Sequence, residues 1–377
     1  MACVCSPAPE RSCVTLKLAL VHDYLNQRGG AERFFSFLSR EWPDAPIYTA
    51  LFDRALLGDL FDPARVRTSY LDRIPGGKRH FRYLAPLYPH AFERFDLSGY
   101  DVIVSSSSAW AKGVRFSPRT VHVSYIHTVS RFVFAYDEYV GGLGVGRIAR
   151  PMVERLAAWD RRAAQRPTHL VANSHNVAQR IAQYYGRRAE VLQSPVDLAR
   201  FEVGRGRGDY FFIASRLLPY KHIERAIAAA QSAGVRLYVA GTGPDEARLK
   251  ALACGTSTTM LGYVDDATAA GLLGDARAAI LPAEEDYGLL PLEAAAAGRP
   301  TIALRAGGAL ETIVEGRTGE FFDEPTPQSL ACRLRDFNPS QYDPMQLRAH
   351  AERFSPQQFV QAFRAIVERT VAEHRSA

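Results

Sequence analysis

Two carboxylates, Glu285 and Glu293, flank Gly288 in the stretch PAEEDYGLLPLEAAAAGRP. The first follows an apolar, strand-like run, ARAAIL, and the second falls in the first turn of the next helix, which Pro291 opens and Gly298 ends. Ionised carboxylates only accept hydrogen bonds, so this pair suits a ligand rich in hydroxyls. The amides around Gly288, Leu289 and Leu290 precede that helix, and free amides at a helix start favour an anion. Upstream, ASRLLPYKHIERAI places Arg216 at the end of another strand-like run and Lys221 just before the following helix. These are the cations a diphosphate needs. A diphosphate flanked by hydroxyl-bearing rings is the chemistry of a nucleotide sugar, and it would engage all four residues. Breaking its sugar–phosphate bond builds negative charge on the departing phosphate, which Arg216 and Lys221 would stabilise. With these cations present and no convincing Asp-x-Asp motif at a strand end, the expected reaction needs no metal and no other cofactor.

Such a constellation requires parallel strands whose carboxyl ends open on one crevice. LKLALVHDYL, YDVIVSSSS, TVHVSYIH and THLVANS are short apolar runs ending in small or polar residues, and AERFFSFLSREW between them is spaced as a helix. Near Pro195 the pattern restarts: DYFFIASR, VRLYVAGTG, TTMLGYV, ARAAIL and RPTIALRAGG alternate with helical stretches. The expected fold class is α/β, with two doubly wound, Rossmann-like domains facing a cleft. The expected division is a disordered leader over 1–15, an amino-terminal acceptor-binding domain over 16–195 and a carboxyl-terminal donor-binding domain over 196–354. In the final helix, 355–377, Phe359, Phe363, Ile366 and Val367 share one face, expected to pack back on the first domain.

The chain of 377 residues is 47% hydrophobic and 23% charged, which excludes a disordered protein and exceeds what one core usually serves. A net charge of +6 favours anionic partners. Part of it is local: GGKRHFRYLAPLYPHAFERF interleaves cations with aromatic and aliphatic residues. That stretch reads either as an ordinary solvated basic face or as a surface resting on anionic lipid headgroups. The repeat GRGRG is too short to argue for RNA, and no nucleic acid partner is expected. Cys3, Cys5 and Cys13 fit no zinc template, and Cys254 and Cys332 stand alone, so a reduced cytoplasmic chain is expected. No apolar run approaches the roughly 18 residues of a membrane span, which leaves peripheral contact with the cytoplasmic membrane.

ASRLLPYKHIERAI, VAGTGPDEARLKALA, LGYVDD and PAEEDYGLLPLEAAAAGRPTIALRAGGALETIVEGRTGEFF together resemble the carboxyl-terminal half of the retaining glycosyltransferases of family 4, which have the glycosyltransferase B fold. The likeness spans roughly 17–370, and Glu285 and Glu293 match the family's Glu-x7-Glu motif. LVHDYLNQRGGAERF with SYIHTVSRF is similar to bacterial mannosyltransferases that build O-antigen or exopolysaccharide on a lipid carrier. The resemblance implies that Glu293 holds the donor ribose, that Glu285 and the amides of Gly288, Leu289 and Leu290 hold the donor sugar, and that Arg216 and Lys221 bind the diphosphate. It also implies that His127 lies beside the donor sugar and that Gly29 and Gly30 approach phosphate and acceptor. The implied catalytic set is therefore His127, Arg216, Lys221 and Glu285, with GDP-mannose as donor and a lipid-linked or oligosaccharide acceptor.

Other readings stand beside these. His127 could be a satisfied core histidine, Gly29 and Gly30 turn glycines, and Gly307, Gly308 and Glu311 turn and capping residues. Nothing marks Asp23 as a base. Val129 stands where the similar mannosyltransferases carry proline, and SRFVFAYDEY replaces a tryptophan-containing segment, so the acceptor side departs from them. A UDP-sugar transferase, a sugar-nucleotide 2-epimerase and a basic membrane or nucleic-acid binding module are the competing functions.

Overall fold

The computed structural model describes residues 16–136 and 146–376, with the side chains of 146–149 left aside. The leader with Cys3, Cys5 and Cys13, and the last three residues of the SRFVFAYDEY stretch, lie outside the described residues. The remaining cysteines, Cys254 and Cys332, are exposed free thiols.

Two parallel sheets organise the chain. The first holds β1 (Leu18–His22), β2 (Ile47–Thr49), β3 (Val66–Thr68), β4 (Val102–Ser107), β5 (Val121–Ile126), β6 (His169–Ala172) and β7 (Glu190–Val191). Their spatial order is β3-β2-β1-β4-β5-β6-β7. The second holds β8 (Tyr210–Ala214), β9 (Arg236–Ala240), β10 (Thr258–Gly262), β11 (Ala279–Leu281), β12 (Thr301–Leu304) and β13 (Gly319–Phe322), ordered β10-β9-β8-β11-β12-β13. In each sheet the order reverses beside the first strand, and there the flanking loops diverge and leave a crevice. Both central strands of the first sheet, β4 and β5, are buried along their whole length. Helices therefore cover both faces, as parallel sheets require.

The strand and helix pattern of the second half matches the sequence expectation, but Gly319–Phe322 adds an edge strand and helices Pro327–Asp336 and Pro344–Glu352 follow it. In the first half, β2, β3 and β7 are only two or three residues long, too short to leave a readable alternation. GRGRG is a packing device. A Cβ on Gly204 would lie 2.0 Å from the Gly274 carbonyl oxygen, and one on Gly208 would lie 2.3 Å from the Tyr210 ring.

The last helix, Pro356–Ser376, buries Phe359, Phe363, Ile366, Val367 and Val371 in the core of the first sheet. Phe359 meets Phe34 edge-on at 5.0 Å, and Phe363 meets Trp42 at 6.2 Å. The chain thus crosses to the second domain and returns to the first.

Candidate active site

Helix Gly30–Glu41 follows β1, with Gly29 as its N-cap. The Gly29 amide donates to the Glu32 carboxylate at 3.0 Å, a local capping arrangement. Gly30 lies at the mouth of the cleft: a Cβ there would stand 3.0 Å from Leu289 Cδ1 of the second domain. A side chain at Gly30 would require Leu289 to shift by a few tenths of an ångström.

In the second domain, Lys221 ends a 3-10 turn, Pro219–Lys221, and the following helix starts at Ile223, slightly later than the sequence indicates. The turn aims the Lys221 ammonium at Glu285, with which it forms an ion pair of 17% and 14% exposed side chains. Burial alone would lower the lysine pKa, but Glu285 and Tyr220 more than offset it, so Lys221 stays charged. Gly288 has φ +76°, which turns the loop into helix Leu290–Ala296. Glu293 lies in the first turn of that helix, where its carboxylate accepts from Arg200 Nη1 at 3.0 Å. Arg216 is exposed, and its charge acts on Glu32 across the cleft.

The structure thus brings Gly30, Leu289, Lys221 and Glu285 to one mouth. Glu293, one helical turn beyond Leu289, is held by Arg200 of the segment that joins the two domains. His127 sits at the end of β5, where Nε2 shares a 2.8 Å hydrogen bond with Ser106 Oγ; His22 Nδ1 lies 3.1 Å from the same hydroxyl. Burial pulls both rings down to a pKa of about 3, so both stay neutral at physiological pH. Asp23 is structural: its carboxylate accepts from the amides of Ser108, Ala109, Trp110 and Ala111 at 2.6–2.9 Å. With all of these bonds made inward, it is no base.

Contacts between the domains add residues whose partners the sequence did not show. Asp286, the neighbour of Glu285, reaches across to the first domain. Its carboxylate accepts from Thr128 Oγ1 at 2.7 Å, Arg131 Nε at 2.7 Å and Arg180 Nη1 at 2.8 Å. Its carbonyl accepts from Ser174 Oγ at 2.7 Å. Burial would lower the Arg131 pKa, but Asp286 raises it further, so its guanidinium remains charged. Glu311 accepts from the amides of His175 and Asn176 at 2.9 and 3.0 Å, capping the first-domain helix His175–Tyr185 from the other domain. Gly307, at φ +58°, and Gly308 press on the backbone of Glu285 and Tyr287, so these glycines shape the loop. Asp266 pairs with Arg33 of the first domain and with Arg200 of the linker. These contacts join residues more than a hundred positions apart in most cases, which local spacing cannot reveal.

Among the described residues, no group of three or more His, Cys, Asp or Glu side chains gathers at one point. No helix among them is long and apolar enough to cross a membrane.

Residues 197–354 match the model described as "Glycosyl transferases group 1", and residues 28–200 match the one described as "Glycosyltransferase Family 4". No curated protein matched the chain. Among solved structures, HepE of Anabaena in complex with UDP is similar at 19% identity and a TM-score of 0.69, over 94% of this chain and 100% of that one. Sucrose-phosphate synthase of Thermosynechococcus elongatus is similar at 16% identity and a TM-score of 0.69, over 94% and 99% of the two chains. The lipopolysaccharide outer core galactosyltransferase WaaB matches at 15% identity and a TM-score of 0.61, over 93% and 98%. At these identities the structural likeness is one of fold. With its first domain matching one glycosyltransferase model, its second domain matching the other, and two parallel sheets facing a shared cleft, the chain belongs to the family 4 glycosyltransferases of the two-domain B fold.

Proposed function

We propose that the protein transfers a hexose, mannose from GDP-mannose, with retention of configuration, to a lipid-linked or oligosaccharide acceptor in bacterial surface-polysaccharide synthesis. The observation that carries the nucleotide-sugar site is the half-buried Lys221–Glu285 pair beside the Gly30–Leu289 contact. In this reading the donor diphosphate draws Lys221 away from Glu285, and Glu285 is freed to accept from a sugar hydroxyl. Arg216 adds a second cation, and Glu293, held by Arg200, takes the ribose. His127, neutral and beside the cleft, offers the donor sugar a hydrogen bond.

The bond from the anomeric carbon to the phosphate oxygen breaks, and the acceptor oxygen bonds to the same face. The acceptor's proton leaves on the phosphate oxygen, so no protein nucleophile is required. Lys221 and Arg216 stabilise the charge that a metal ion would otherwise meet, and the reaction proceeds without one. The mannose assignment rests on the sequence likeness of the first domain to bacterial mannosyltransferases. A UDP-sugar is the second reading, favoured by the binding of UDP to HepE.

The basic stretch of the first domain supports work at an anionic membrane. It folds as a 3-10 turn, Phe81–Leu87, running into helix Tyr88–Glu93, and leaves Arg79, Arg82 and Arg94 exposed beside Tyr83, which is 83% exposed. Calorimetric titration of GDP, UDP and ADP, each with and without EDTA, tests the donor assignment. Selective GDP binding that survives chelation is expected. Preference for UDP would replace mannose by a UDP-linked sugar, and binding of none would overturn the transferase site.

A further inference from the structure

Arg131 is contributed by the first domain, from the short helix Arg131–Phe134 that follows the β5 loop. It is 8% exposed, so nearly all of its guanidinium is out of water. Nε is committed to Asp286, yet Nη2 is buried with no hydrogen-bond partner among the described residues. Leaving a buried, charged N–H unpaired is unfavourable by more than the desolvation of a neutral group. Such an atom in a cleft points to a ligand oxygen that completes it.

The identity of that oxygen follows from the neighbours. The Arg131 guanidinium lies 5.0 Å from the Tyr220 ring centre, and the Lys221 ammonium lies 5.1 Å from the same ring. Both cations therefore border the same ring, and the Arg131 charge works against that of Lys221. The local balance is positive: Arg131 and Arg180 share the single carboxylate of Asp286, while Lys221 and Glu285 neutralise each other. An excess of one cation beside an unpaired N–H fits an anionic oxygen better than a sugar hydroxyl.

We propose that Arg131 is a third cation for the donor diphosphate, supplied by the first domain, with Nη2 donating to an oxygen of the phosphate farther from the nucleoside. This rests on the transferase reading above and adds a consequence. Asp286 is the positioning residue: its bond to Nε fixes the guanidinium plane, so the phosphate site is complete only when the two domains are in contact. Arg131 enters with the domain that binds the acceptor, which couples closure on the acceptor to charge stabilisation at the leaving group.

The test compares wild type, Arg131→Gln and Arg131→Lys by calorimetric titration with nucleoside diphosphates (GDP, UDP, ADP) and the matching monophosphates, which lack the farther phosphate. Wild type is expected to prefer the diphosphate of its base over the monophosphate. Arg131→Gln should lower diphosphate affinity about tenfold or more, in line with loss of a charge-assisted hydrogen bond, and leave monophosphate affinity within about twofold. Arg131→Lys should fall between, since it keeps the charge and loses the planar fork. A diphosphate-to-monophosphate ratio in Arg131→Gln equal to wild type overturns the proposal, and so does a parallel loss of both affinities in both variants. Failure of wild type to bind any nucleotide would instead remove the transferase reading on which it rests.

Discussion

Two aspartates of the second domain reach towards arginines outside it, and their surroundings differ. Asp286 is 15% exposed and is held by Thr128, Arg131 and Arg180, whose arginine side chains are 9% and 15% exposed. Asp266 is 45% exposed and meets Arg33 and Arg200. Coulomb attraction between partners at similar distance is several times stronger where water is excluded, and an unpaired charge is correspondingly more harmful there. At Asp266 only the carboxylate is well exposed, its partners Arg33 and Arg200 being 22% and 17% exposed, so water and salt weaken these pairs relative to those of Asp286. The cleft is thus pinned at the end where Lys221 and Glu285 meet, and it is loosely held at the end where Glu293 and Arg200 meet. Opening at the Asp266 end disturbs the charge-stabilising site least.

The largest expected effect is at the pinned end. Lys221→Ala should reduce turnover, with the donor found by titration, by about 100 to 1000-fold, as for removal of one preorganised charge-stabilising group. Turnover close to wild type would remove Lys221 from the leaving-group site. Asp286→Asn should follow, lowering stability by about 2 kcal/mol in chemical denaturation, short of the ~3–5 kcal/mol typical of a broken buried pair because asparagine keeps one acceptor. A loss no larger than that of an exposed pair would erase the contrast between the two clusters.

Glu32 sits between the two ends, under Gly29 and near Arg216. Burial pushes its carboxyl up to about 7 against an ordinary value near 4.5. The folded chain holds this proton through a range in which the unfolded chain releases it. The contribution of Glu32 to stability is therefore full below about pH 4.5 and declines as pH rises towards 7. Glu32→Gln should abolish that decline, raising the denaturation midpoint at pH 8 and leaving it nearly unchanged at pH 4.5. The smallest effect is expected for Asp266→Asn: about 0.2–1 kcal/mol at low salt, vanishing at high salt. A salt-independent loss would show that this end is also pinned.

The second domain was the more legible of the two. Arg216 and Glu285 sit within a few residues of a strand end, Lys221 and Glu293 follow in the next turn and helix, and parallel strands carry their loops to one crevice whatever the details of packing. The glycines near Glu285 were also visible, although only the close approach of Gly307 to the Glu285 carbonyl explains their need. The first domain was harder. Its short strands carried little periodicity, and Arg131 and Arg180 look like ordinary surface cations until Asp286 is placed 155 and 106 residues away. His127 was visible as a strand-end histidine, but its bond to Ser106 and its neutrality depend on β4 lying beside β5. GRGRG looked like a cationic motif because the arginines dominate it, whereas packing against Gly274 and Tyr210 makes the glycines the constrained residues.

The sequence by itself determined the alternation of strands and helices and the two-domain plan, and it placed Arg216 and Glu285 just past strand ends, because each depends on interactions within a few residues or on the fixed direction of parallel strands. Only the tertiary structure decided that Asp23 is a structural anion, that Asp286 and Glu311 bind across the cleft, and that Nη2 of Arg131 has no hydrogen-bond partner among the described residues. Those facts rest on which distant groups are brought together and how much water is removed around them, and neither quantity exists until each domain has folded and, for Asp286, Glu311 and Arg131, until the two domains meet.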